Sequence, residues 1–149
     1  MENVINIRLA LEQIGAGYQF GGSVTDGTQE VWDAVEWEDA RPKPSWADVC
    51  AAHASAVQSG LFAALRSARD TRLASTDKIL LPDYPISADA LPLVKAYRAA
   101  LRDLPDAPGA PWDGGGTSTP WPTAPNAPNA ANTTASSTSS TSQADQPCA

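Results

Sequence analysis

The sequence is poor in the residues that most often carry chemistry. It has only two cysteines, Cys50 and Cys148, widely separated and with no leader-like stretch ahead of them, which excludes a disulfide framework. Cys50 falls on an apolar helical stripe, where a small buried thiol is the simplest reading. Cys148 is a candidate for an intermolecular contact. The single histidine, His53, has no clustered cysteines or carboxylates at ligand spacing, so no metal site is expected. The glycines at 15, 17, 21 and 22 do not spell a phosphate-binding loop, and no Lys-Ser/Thr pair follows them. No cofactor is expected. No stretch approaches the roughly 18 apolar residues of a membrane span. Basic residues are also short: ten Lys and Arg stand against seventeen Asp and Glu, a net charge of −7, and none follows Arg102. That balance argues against nucleic acid and anionic membranes as partners. Met1-Glu2-Asn3 opens no basic, then apolar, leader. The expectation is a protein made and folded in a cytoplasm.

What is present is a patterned chain with a change of character near residue 106. Val4 to Ile14 places Val4, Ile7, Leu11 and Ile14 at helical spacing, and Gly15 and Gly17 end the pattern. Tyr18 and Phe20 alternate in a plausible strand. Thr25-Asp26-Gly27-Thr28 supplies a turn. Residues 31–37, VWDAVEW, read as a second strand with aromatic residues on both faces, so a β-hairpin is the natural expectation. Pro42 and Pro44 break the pattern. Ser45, with Asp48 three residues on, then predicts a capped helix running from Trp46 to about Ala74. Its apolar stripe is Trp46, Cys50, Ala54, Val57, Leu61, Leu65 and Ala68. Gly60 within it marks a bend or a close helix contact. Arg66, Arg69 and Arg72 near its end suit the negative pole of the helix dipole. Ser87 predicts the cap of a second helix with an apolar face of Leu91, Val94, Tyr97, Leu101 and Leu104, stopped by Pro105. Two such helices joined by a proline-pinned loop should fold back on each other.

From Asp106 the chain holds seven of the thirteen prolines and then runs of Ala, Asn, Ser and Thr. That composition buries too little apolar surface to offset its ordering entropy. The expected fold class is therefore α+β: an N-terminal short helix and β-hairpin in residues 1–44, an antiparallel helical hairpin in 45–105, and a disordered or extended Pro/Ser/Thr-rich tail in 106–149.

Enzymatic readings are weak. His53 lies on a helix with Ser55 and Ser59, but Ser/His catalysis also needs an oriented acid and an oxyanion site. The carboxylates Glu30, Asp33, Glu36, Glu38 and Asp39 are dense, and a solvated acidic face accounts for them more simply than paired-carboxylate hydrolysis. The aromatic inventory is more informative. Five tryptophans are many for 149 residues, and Trp32 or Trp37 should face away from the helices if the ribbon is a single layer. Trp112 and Trp121 lie in the extended segment, either as partner anchors or folded back onto the helical hairpin to close its open side. Arg98 and Arg102, at i and i+4, are available to a partner carboxylate or to Asp77 or Asp83 across the hairpin.

Three blocks in fixed order carry a resemblance. Arg66, Arg69 and Arg72 lead into Ser75-Thr76-Asp77; Leu81-Pro82-Asp83-Tyr84-Pro85 follows; then comes Tyr97-Arg98-Ala99-Ala100-Leu101-Arg102-Asp103-Leu104-Pro105. Pro120-Trp121-Pro122 lies further on. This arrangement resembles the C-terminal domain of bacteriophage tail assembly chaperones and tail fibre assembly proteins, which read roughly R-(D)-x-x-L-x-x-(T/C)-D-(W), L-P-D-x-P, Y-R-x-A-L-R-D-L-P and W-P-x-x-P. One departure is Lys78, where the family often has Trp. The resemblance implies a non-enzymatic factor that binds a tail fibre or other tail protein, trimeric in the case of a fibre, and assists its folding, trimerisation or attachment. Together with the aromatic and arginine readings above, this makes Trp32, Trp37, Tyr84, Tyr97, Arg98, Arg102, Trp112 and Trp121 the candidate partner-binding residues. The alternative is a permanent virion component bound to the fibre or baseplate.

Overall fold

The computed structural model describes residues 4–22, 24 and 26–125. The architecture is mostly helical. Two short segments, β1 (Ile5–Asn6) and β2 (Asp26–Gly27), form an antiparallel ladder. Helix α1 (Ile7–Ile14) follows β1 directly, and its cap is Asn6, whose side chain accepts from the Leu9 N–H at 2.8 Å. The predicted helix began at Val4; it begins three residues later because Ile5 and Asn6 are spent on the ladder.

The predicted β-hairpin does not form. Residues Gln29–Asp33 are a short helix, α2, and the two expected strands meet only at an isolated antiparallel bridge between Phe20 and Trp37. The alternation over residues 31–37 was misleading because apolar residues occupied both putative faces. Trp32 and Val35 are the buried pair, and their spacing of three is helical, while Val31 is exposed. Gly27 explains why the turn pairs with β1 instead. A Cβ there would lie 2.8 Å from Ile7 Cδ1 and 3.0 Å from Val31, so only glycine lets Ile7 pack against this backbone.

The first core gathers Ile5, Ile7, Ala10, Leu11, Trp32, Val35 and Val49, with Tyr18, Phe20, Trp37, Trp46 and Cys50 against it. Val49 belongs to α3 (Trp46–Asp77), a 32-residue helix opened by a complete capping box: Ser45 Oγ accepts from the Asp48 N–H, and the Asp48 carboxylate accepts from the Ser45 N–H. Cys50 is half-buried here, as its stripe predicted.

The middle of α3 is bare. Ala54 is exposed, Val57 is 43% exposed, and nothing lies within 4 Å of where a Gly60 Cβ would be. The close contact expected at Gly60 is absent, because the first core does not reach this turn. Replacing Gly60 by alanine should therefore stabilise the protein by roughly 0.5–1 kcal/mol, through backbone entropy alone; a destabilisation in urea unfolding would show that a partner or neighbour occupies this turn.

The helix runs on to Asp77 and continues as a 3₁₀ turn, Lys78–Leu80, so Ser75-Thr76-Asp77 is helical, not a turn. Ser87 supplies a cap bond to the Ala90 N–H at 3.2 Å, and α4 (Ala90–Asp103) packs against α3 through Val94, Tyr97 and Leu101, all buried. Leu104–Asp106 form a second 3₁₀ turn.

The change of character at Asp106 is not a break in packing. Residues 107–119 make a series of turns that, with Trp121, is laid back along α3. A Cβ on Gly114 would be 3.3 Å from Leu61 Cα, and one on Gly115 would be 2.9 Å from Ala68 Cβ. Both glycines also have φ in the left-handed region, 73° and 100°, so the sequence Asp113-Gly114-Gly115-Gly116 lets this strap touch the helix backbone. A tail beginning at 106 was expected to be disordered or extended; from Ala107 to Trp121 it is a packed covering instead, and residues 122–125 have no regular structure. The expectation for 126–149, Cys148 included, lies outside the described residues.

Candidate functional site

The eight candidate residues do not form one surface. Trp32 is 1% exposed. Its Nε1 donates to the Pro44 carbonyl at 3.1 Å and its ring lies edge-on to Trp37 at 5.8 Å. Sequence reasoning made it a surface anchor because it assumed a ribbon; in a helix its ring points into the first core, where it offers nothing to a partner. Trp37 is half-buried, stacked on Phe20 and tilted against Tyr18, with Nε1 donating to the Arg41 carbonyl at 2.6 Å. Tyr97 is 9% exposed and part of the α3–α4 interface.

Arg98 is the most committed of the set. From α4 its Nη1 donates to the Leu73 carbonyl at 2.7 Å and to Thr76 Oγ1, and its Nη2 sits 2.7 Å from the Asp77 carboxylate. The last turn of α3 carries no basic residue of its own. Arg98 thus places a cation at the negative pole of a helix that lacks one. Arg66, Arg69 and Arg72, expected in that role, lie further back: Arg66 stands over Phe62, Arg69 pairs with Asp70, and Arg72 caps Trp121. The Thr-Asp and Tyr-Arg blocks, distant in sequence, are one interaction. Arg102 is exposed and makes no ion pair with a described residue.

Trp121 folds back. The Arg72 guanidinium lies 3.6 Å from its ring centroid and simultaneously donates to the Ala68 carbonyl. Trp112 is half-buried over Gly109, whose Cβ position would be 2.8 Å from the indole nitrogen. Asp113 organises the strap between them. Its carboxylate accepts from the Gly116 and Ser118 N–H groups at 2.9 and 2.7 Å and from the buried Thr119 hydroxyl at 2.7 Å. The Thr119 hydroxyl, followed by the Ser118 and Gly116 amides, holds the Asp113 carboxyl below the usual carboxylate range.

Because that folded value lies below the unfolded one, near 3.9, the strap's stabilisation by Asp113 is complete above the unfolded value and is lost as pH falls through the folded one. An Asp113→Asn variant should already show the loosened strap at neutral pH, with faster exchange of the Gly116 and Ser118 amides, and should lose part of the wild-type acid transition. An identical acid profile in the two proteins would remove Asp113 from this role.

Sequence reasoning missed the apolar turn between the helices. Leu80 and Leu81 are 40% and 55% exposed, Leu93 on the first turn of α4 is 58% exposed, and Tyr84 is half-buried among them in sequence. The signal was available: adjacent leucines in a proline-pinned loop have no helical face to hide on.

These observations coincide with a family match. Residues 62–126 match the family described as phage tail assembly chaperone protein. The matched segment covers somewhat less than half of the chain and takes in the second half of α3, the apolar turn, α4 and the strap, with all three motif blocks. No curated protein and no solved structure matches the chain. The match supports a tail-assembly role in general terms. Among the described residues, no helix is long and apolar enough to cross a membrane, and no group of three or more His, Cys, Asp or Glu is placed to hold a metal ion.

Proposed function

We propose that this protein is a non-enzymatic chaperone of phage tail assembly that acts in the host cytoplasm by binding a tail fibre or related tail protein and assisting its folding, trimerisation or attachment. The observation that carries the reading is the coincidence of the matched residues 62–126 with one packed unit. Tyr97, Arg98, Leu101 and Leu104 of its motifs, with Arg72, hold α3, α4 and the strap together, whereas the Leu81–Pro85 block leaves apolar surface exposed in the turn between the helices. Fibre trimers expose unpaired strand edges and apolar seams until they close, and exposed leucines on a small acidic protein are suited to cover such a seam. Of the residues first nominated, Tyr84 and Arg102 remain accessible for this contact; Tyr97 and Arg98 act by holding the helices that present it.

The test is co-expression with the fibre protein encoded beside it. The fibre is expected to be soluble and trimeric only with this chain present. Leu80→Ser with Leu81→Ser should weaken the complex by about tenfold or more, since a buried leucine contributes roughly 1.5–3 kcal/mol, while leaving the fold intact because both side chains are already exposed. A fibre that matures equally well alone, with no complex on size exclusion, overturns the reading. Recovery of the chain at fixed stoichiometry in purified particles would make it a lasting component of the virion.

A further inference from the structure

A second surface lies outside the matched segment. Gly21 N–H donates to the Glu36 carbonyl at 2.8 Å and Glu38 N–H to the Gln19 carbonyl at 3.1 Å. These two bonds flank the antiparallel bridge between Phe20 and Trp37. In such a pair the bonds come from the flanking residues, so the N–H and C=O of Phe20 itself point to the opposite edge. Among the described residues no hydrogen bond is made to either group.

That edge borders an open cleft of ≈ 480 Å³ between this segment and α1. Its apolar lining is Leu11, Tyr18, Phe20 and Val24, and its charged residues are Arg8, Glu12 and Glu38. Arg8 and Glu12 lie 3.8 Å apart and offset each other. Glu38 has no cationic partner among the described residues, and its carboxylate and that of Glu36 converge on Gly21, 3.2 and 3.3 Å from where a Cβ would be. Arg41, on the same segment, is occupied by Asp39 at 2.7 Å and by the Tyr18 ring. A free strand edge, an apolar floor and an uncompensated negative rim thus meet in one place.

We propose that this cleft binds an extended polypeptide segment of alternating apolar and basic side chains, which adds as a short strand to the Phe20 edge. The added strand would pair with the Phe20 backbone, lay an apolar side chain on Leu11 and Tyr18, and set a lysine or arginine beside Glu36 and Glu38. Gly17 and Gly22, with φ of 76° and 90°, bound the edge, so the paired stretch is short and the affinity modest. The inference goes beyond the chaperone reading: it concerns residues 8–38, and either can fail without the other.

The test uses the full-length isotope-labelled chain and a blocked hexapeptide of alternating valine and lysine, followed by NMR. Saturable shifts are expected at Arg8, Glu12, residues 18–22 and Glu38, with exchange of the Phe20 amide slowed by about tenfold at saturation. The same peptide N-methylated at alternate backbone nitrogens should not bind. A valine–glutamate peptide, and Glu36→Gln with Glu38→Gln against the lysine peptide, should each bind about threefold weaker or worse. Both substitutions are at exposed positions, so the fold is retained. Shifts centred on residues 80–93, equal binding of the N-methylated or glutamate peptide, or no saturable shift at millimolar peptide would each overturn the proposal.

Discussion

Trp32→Ala is expected to be the most damaging single substitution in the protein, costing about 3–5 kcal/mol. The side chain is 1% exposed and is the largest in the first core. Its removal would leave a cavity bordered by Trp37 and strip the Pro44 carbonyl of its indole donor. It would also leave the Lys43 ammonium, now 4.9 Å from the ring and donating to the Trp32 and Val35 carbonyls at 2.8 and 3.0 Å, without its aromatic neighbour. Stability of a domain this size is about 5–15 kcal/mol in total, so the variant should be largely destabilised at 37 °C. Trp32→Phe keeps much of the ring and should cost less, chiefly for the orphaned carbonyl, about 1–3 kcal/mol. Urea unfolding followed by circular dichroism measures both. A Trp32→Ala cost under about 1 kcal/mol would mean that the indole is not in the core, and would restore it as a surface anchor.

Arg98→Ala should come next, at about 2–3 kcal/mol. The guanidinium is only 13% exposed and serves a carbonyl, a hydroxyl and a carboxylate at the end of α3. Most of the loss is attributed to the first two. Asp77 is 63% exposed, so its ion pair is worth about 0–1 kcal/mol, and Asp77→Asn should be correspondingly mild. Arg98→Lys should recover only part of the loss, because an ammonium cannot reproduce the planar fork. Near-equal costs for Asp77→Asn and Arg98→Ala would show that the ion pair dominates instead. The consequence for partner binding is indirect: loosening the end of α3 should blur the geometry of the leucine turn, so the Arg98→Ala variant should bind its tail protein more weakly even where it remains folded.

Much of this was legible in the chain. The Ser45–Asp48 box was read correctly, as were the long helix it opens, the apolar face of α4 and its stop at Pro105, because each is a local pattern whose physics acts within one or two turns. The failures were non-local. The stretch 31–37 fits a strand and a helix alike, and the choice was made by Trp32 finding room beside α1 and Val49. The fate of Trp121 turned on Arg72, forty-nine positions away in sequence order. The strap looked like a linker because its few apolar residues cannot form a core alone; three glycines and Asp113 let it borrow the surface of α3.

The sequence by itself determined the capped start of α3 at Ser45, the apolar face of α4 and which family the second half resembles, since caps, apolar spacing and motif order are written in adjacent residues. Only the tertiary structure decided which aromatic side chains are core and which remain accessible, that Arg98 closes the end of α3, and that the leucines of the interhelical turn are left outside. Those outcomes depend on which surfaces meet, and burial is a property of the assembled fold, with no counterpart in any short stretch of the chain.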